Sequence, residues 1–167
     1  MKEVNLTEGP IFQKLISFSL PMIAGNLLQQ IYNLADTLIV GKGIGANALA
    51  AVGSAYTLMI FLTSILIGLC MGSGAFFSSD YGAGEEEKLR EDVFLSFWFI
   101  LAVSVVIYFI IYPGMQGILR LLRTPPELME LTRDYVAVVF VGIFFVFLYN
   151  FFSYLLRGVG NSVVPLL

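Results

Sequence analysis

The sequence predicts an all-α integral membrane protein with four transmembrane helices, and three observations carry that reading. Of 167 residues, 58% are hydrophobic and 13% charged, and the mean hydropathy is +0.87, far outside the range of water-soluble domains. Uncharged runs recur at lengths able to cross a hydrocarbon core about 30 Å thick, which takes roughly 20 residues of helix. Within lipid every backbone N–H and C=O needs an internal partner, and a helix supplies one inside the segment itself.

The first span is placed at 15–40, a run charged only at Asp36. Gly9-Pro10 reads as its helix start, because proline suits the first helical position. Ile11, Phe12, Leu15, Ile16 and Phe18 form an apolar face leading into the span, and Pro21 within it is expected to bend it. The second span, 56–77, lies in a longer uncharged stretch whose opening, GIGANALAAVGSA, reads as a helical lead-in. Ser64, Gly68 and Gly72 make a row of small residues suited to close helix packing. A Gly-punctuated turn, SSDYGAGEEEKLRED, follows, with Glu85, Glu86 and Glu87 favouring the start of the next helix through its dipole. The third span, 93–112, holds no charge. After it PGMQGILRLLRTPPELMEL reads as a short amphipathic turn and then a capping box, Thr124-Pro125-Pro126-Glu127, that starts the fourth helix. The fourth span, 135–156, is also uncharged, and Arg157, Gly158, Gly160 and Pro165 mark a linker beyond it.

Composition excludes several functions. A net charge of −3 and a pI near 4.8 leave no basic patch for nucleic acid. Cys70 is the sole cysteine, so there is no disulfide framework, and it reads as a small buried apolar residue. The chain has no histidine, which removes His-based triads, His-ligated metals and imidazole relays; no cofactor, structural metal or enzymatic activity is expected. Lys2, Glu3, Glu8 and Pro10 do not make a secretory signal, so the first span is expected to be retained. With the N-terminus inside, Lys2, Lys14, Lys88, Arg90 and Arg157 lie inside and Lys42, Arg120, Arg123 and Arg133 outside, a five-to-four lean toward that orientation.

The first span raises the functional question, because NLLQQIYNLADTLIV carries Asn26, Gln29, Gln30, Asn33, Asp36 and Thr37. At 100° per residue these six fall within roughly a 120° arc of the helix. Charged residues at membrane depth cost about 2.5–3.5 kcal/mol on insertion scales and face bundle interiors or aqueous cavities. One reading is a cavity-lining face on which Asp36 binds a proton or a transient Na⁺. The others are an Asp36 that meets headgroups near the surface and carboxamides that only join helices by hydrogen bonds. Asn150, beside Tyr149 in the fourth span, either faces the same cavity or bonds between helices. The aromatics, Trp98 among them, read as packing or lipid-facing residues.

Four segments in order, FSLPMIAGNLLQQIYNLADTLIVGKGIGANALAAVG, GLCMGSGAFFSSDYGAGEEEKLRE, LLRTPPELMELTRDYV and YLLRGVGNSVVP, closely resemble the multidrug and toxic compound extrusion (MATE) transporters. The resemblance implies twelve helices in two six-helix lobes around a central cavity, and export of cationic or amphipathic compounds in exchange for Na⁺ or H⁺. It implies that Asp36 matches the acidic residue used in cation coupling and Pro21 the proline at which the first helix bends. Ser79-Asp80-Tyr81-Gly82 departs from the pattern, in which Gln often stands at the position of Asp80. The resemblance places residues 1–167 as part of the first lobe, with the fifth helix onward missing and the remainder of the same polypeptide the expected partner. It also implies a bacterial inner (plasma) membrane, multiple passes and a cytoplasmic N-terminus, with bilayer lipid and a small export substrate as partners. Two rival readings remain: a lipid-linked or polysaccharide flippase of related architecture, against which spans one to four offer no basic residue inside the membrane, and a non-transporting assembly subunit.

Overall fold

A computed structural model describes residues 10–43 and 45–166. Lys2, Glu3, Glu8 and Gly9, which bear on the expected start, and Leu167 lie outside the described residues. The described residues form five α-helices: α1 Ile11–Gly43, α2 Ala46–Ala83, α3 Glu86–Leu121, α4 Met129–Val141 and α5 Ile143–Gly158. Single 3₁₀ turns follow at Pro126–Leu128 and Val164–Leu166. α1, α2 and α3 are long and apolar enough to cross a membrane, while α4 and α5 make a fourth span only when taken together across a 43° bend. The expected runs 15–40, 56–77 and 93–112 fall inside α1, α2 and α3, and 135–156 is divided between α4 and α5.

α2 is the hub, packing against α5, α3, α4 and α1. Its buried residues Ala51, Ala55, Leu58, Leu62, Leu66, Cys70 and Phe77 recur every three or four positions, so one stripe of an otherwise apolar helix meets the bundle. The facing row Thr132, Val136, Phe140, Ile143, Phe147 and Phe151 runs straight across the α4–α5 break without losing register. Phe97 of α3 closes the space between them, with ring centroids 5.3 Å from Phe151 and 5.4 Å from Phe147. Tyr108 stacks on Phe140 at 5.5 Å nearer the other end.

Four local expectations are corrected. α3 does not stop near Tyr112 for a separate turn; it continues through Pro113 to Leu121, because in an apolar setting losing one donor costs less than releasing a whole turn of backbone. The Thr124 capping box does not form: Pro125 caps a 3₁₀ turn without a side-chain bond, and Thr124 Oγ1 is buried with no partner. Among the described residues the row Ser64, Gly68 and Gly72 packs no helix closely, since a Cβ added at either glycine meets nothing within 4 Å and the Ser64 hydroxyl donates to the Ile60 carbonyl of its own helix at 2.6 Å. The close crossing lies at Gly74 and Gly158, where a Cβ on Gly158 would stand 3.2 Å from the Gly74 carbonyl oxygen. The fourth span, expected whole, breaks at Gly142, whose N–H donates to Val139 at 2.9 Å in a 3₁₀ turn.

The helices end by backbone capping. Gly84 adopts φ 74°, and Glu85 N–H reaches the Asp80 carbonyl at 3.0 Å, a Schellman closure of α2. Arg123 does the same work for α3 at φ 57° without being glycine, Thr124 N–H bonding Leu119 O at 3.1 Å.

Candidate functional site

A cavity of about 810 Å³ opens between α1, α2 and α5 above the C-terminal turn. α1 contributes Pro21, Gly25, Asn26 and Gln29, α2 contributes Thr63 and Ile67, and α5 contributes Tyr149, Asn150, Tyr154 and Arg157. Asn26 and Gln29 stand three residues apart, so both occupy one face of α1, and that face is turned toward Asn150 across the cavity.

The α5 side is held in place by local bonds. Asn150 Nδ2 donates to the Val146 carbonyl at 2.8 Å, which orients the carboxamide along its own helix. The Tyr149 hydroxyl donates to the Pro165 carbonyl at 3.0 Å and ties the C-terminal turn to α5. That turn is shaped in its own right, because Asn161 Oδ1 accepts from Val163 N–H at 3.2 Å and Val164 N–H at 3.1 Å. Ser162 and Pro165 consequently form part of the cavity wall.

Arg157 is the site residue that sequence reading missed, having been assigned to a linker. Its guanidinium lies 5.5 Å from the Tyr154 ring centroid, and its Nε is buried without a hydrogen-bond partner. It borders both the main cavity and a second cleft of about 420 Å³ that Lys14, Phe18, Gly74 and Ser78 also line. An arginine directly after the uncharged run 135–156 was the available signal, since such a side chain can reach back along its helix toward a polar space.

The six-residue stripe divides. Asn26 and Gln29 line the cavity together with Pro21 and Asn150, whereas Gln30, Asn33, Asp36 and Thr37 do not. Asn33 Nδ2 donates to Gln30 Oε1 at 3.2 Å, and Thr37 Oγ1 donates to the Asn33 carbonyl at 2.8 Å. Asp36 is exposed, about 15 Å along α1 from Asn26, and close enough to Tyr135 of α4 to act on it electrostatically. α1 runs unbroken through Pro21, which leaves the Ser17 carbonyl without its usual helical donor beside the cavity. Among the described residues no group of three or more acidic or Cys side chains is placed to hold a metal ion.

The arrangement offers an amphipathic ligand an apolar and aromatic wall, carboxamides to orient polar groups and one guanidinium at the rim. Comparison with known proteins agrees with a transporter architecture. The family model described as MatE matches residues 21–167. The probable multidrug resistance protein YpnP of Bacillus subtilis is 31% identical, covering 99% of this chain and 37% of the relative. The multidrug export protein MepA of Staphylococcus aureus is 27% identical, over 96% of this chain and 36% of the relative. A crystal structure of a MATE protein in a straight conformation superposes with a TM-score of 0.90 at 28% identity, over 99% of this chain and 37% of that one, and one in a bent conformation with 0.88 at the same identity and coverage. A MOP superfamily transporter from Pyrococcus furiosus, described as having a binding pocket of reversed polarity that suggests a different function, gives 0.91 at 28% identity, over 99% of this chain and 36% of that one. The chain thus spans about a third of the length of the relatives it matches.

Proposed function

The chain belongs to the MatE family, and from that premise we propose that it forms part of the first lobe of a secondary active exporter of cationic or amphipathic compounds, coupled to entry of Na⁺ or H⁺. The cavity shared by α1 and α5 is the observation that supports this reading most directly. Asn26, Gln29 and Asn150 orient polar groups of the substrate, and the aromatic wall takes its apolar body. Asp36 binds the coupling cation, and α1 flexes at Pro21, where the helix lacks one hydrogen bond. Gln30, Asn33 and Thr37 continue the polar face from the cavity to Asp36. Coupling requires that the ion bind the two states of α1 unequally, and an ionisable group on a helix loosely held by its neighbours is suited to that. The proposed setting is a bacterial inner membrane with the N-terminus cytoplasmic, the remaining lobe being supplied by the rest of the polypeptide.

Export of a cationic dye by the whole polypeptide in vesicles, driven in turn by a Na⁺ and a proton gradient, tests this. Asp36→Asn is expected to abolish gradient-driven export while leaving dye binding intact, and a variant that transports at the native rate overturns the assignment of Asp36.

A second reading has its own support in Arg157 at the cavity rim. It is a flippase that takes an anionic lipid-linked headgroup. In the same vesicles it predicts that Arg157→Gln stops movement of an anionic headgroup lipid while Asp36→Asn does not.

A further inference from the structure

Asp80 stands in the last turn of α2 and is only 3% exposed, the one acidic residue among the buried described residues. Its Oδ1 lies 3.0 Å from Lys88 Nζ, while Oδ2 is buried with no hydrogen-bond donor among the described residues. A carboxylate oxygen removed from water without a donor keeps its whole desolvation penalty, so a fully ionised Asp80 leaves this position half satisfied. The group beside it is a second carboxyl. Lys88 and Asp92 are four residues apart and share a face of α3, so the face that carries Lys88 onto Asp80 carries Asp92 there too, within hydrogen-bond reach. Two carboxyls in contact satisfy each other when one proton lies between them, one oxygen donating through O–H and the other accepting.

We propose that Asp80 and Asp92 share one proton across the α2–α3 turn, forming a proton-binding site separate from Asp36, with Lys88 compensating the negative charge that remains. The two acidic centres lie at opposite ends of the bundle. α1 and α2 run antiparallel, the start of α1 lining the same cleft as Gly74 and Ser78, so Asp80 and Asp36 are separated by about 40 Å of helix.

The surrounding charges leave the arrangement standing. Glu85 takes a second contact from Lys88 at 3.3 Å, and Glu91 adds negative potential at Asp92. Arg157 of α5 and Lys14 of α1 approach α2 at Gly74 and Ser78, on a different side of the helix from Asp80. Asp92 precedes the apolar run 93–112, and its carboxyl is held above the ordinary aspartate range, first by the hydrogen bond with Asp80, then by burial and the Asp80 charge, with Lys88 opposing. Lys88 is raised as well, first by its hydrogen bond to Asp80. The folded state therefore favours protonated Asp92. The stability it contributes is complete below the unfolded carboxylate range and is lost as pH rises through the raised value.

The test uses the whole polypeptide in lipid, following the infrared C=O band of protonated carboxyls and hydrogen exchange at the α2–α3 turn between about pH 4 and pH 8. The native protein is expected to keep a protonated carboxyl above the pH at which ordinary aspartates ionise, and its turn to lose protection severalfold, relative to the intrinsic exchange rate at each pH, once that proton leaves. Asp80→Asn and Asp92→Asn should each remove the same band and flatten the pH response of the turn. A band that survives either Asp80→Asn or Asp92→Asn overturns the shared proton. Asp92 is only partly buried, so Asp92→Asn keeps the test decisive even where Asp80→Asn folds poorly.

Discussion

At the scale of single residues, the fold holds polar atoms that sequence alone assigns to the wrong role. Thr124 and Glu127 have the spacing of a capping box, yet the two prolines between them direct the chain into a 3₁₀ turn and leave the Thr124 hydroxyl buried. Thr132 is fully buried on α4 with its Oγ1 equally unpartnered. Because a buried hydroxyl without a partner is a net cost, Thr132→Val, which keeps the shape and removes the oxygen, is expected to stabilise the protein by about 1 kcal/mol, read from thermal unfolding in detergent. A loss of stability would mean that the hydroxyl has a partner in the lipid-embedded protein. Asp36 shows the converse: its exceptional position was legible, because one acid in a long uncharged run is conspicuous. That Asp80 is the buried carboxyl was not, since SSDYGAGEEEKLRED reads throughout as a solvated turn and only the return of α3 along α2 covers it.

At the scale of elements, length was legible and contact was not. An uncharged run of about 20 residues must be helical in lipid whatever it packs against. Which glycines mediate a crossing depends on the partner helix, and the Gly68–Gly72 row and the Gly74–Gly158 crossing look alike in a linear sequence. Among the described residues only the second is in contact: a Cβ on Gly158 meets the Gly74 carbonyl oxygen and Phe77 Cβ at 3.2 Å and the Ser78 nitrogen at 3.4 Å, atoms that cannot swing aside. Gly158→Val is therefore expected to force α5 away from α2 and cost about 1–3 kcal/mol, whereas Gly68→Val is expected to cost much less. Equal effects in the same unfolding measurement would show that the crossing is not the tight point of the bundle. The break at Gly142 was hidden for a related reason, since glycine is common in membrane helices and the buried row keeps its register on both sides of the bend.

For the whole molecule, burial is uneven. α2, α3, α4 and α5 share a continuous core, while α1 contributes no buried residue to it and, among the described residues, packs chiefly on α2 and the C-terminal turn. Hydrogen exchange on the 167-residue chain in detergent is expected to show α1 opening before α2, because few apolar contacts hold it. Protection of α1 equal to that of α2 would show that it is held by contacts beyond those described. Legible before any packing were the helical class, three apolar runs that fall within helices long enough to cross a membrane, and the polar character of α1, because those follow from each segment's own need to satisfy its backbone and from a few conspicuous polar residues. Packing was needed to bring Asn26 and Gln29 to the cavity that Asn150 lines while Asp36 stays outside it, to set Arg157 at its border, and to lay Asp92 beside Asp80. The physical reason is that these helices are apolar on nearly every side, so no amphipathic pattern tells which face turns inward; that choice is made only when neighbouring helices pack.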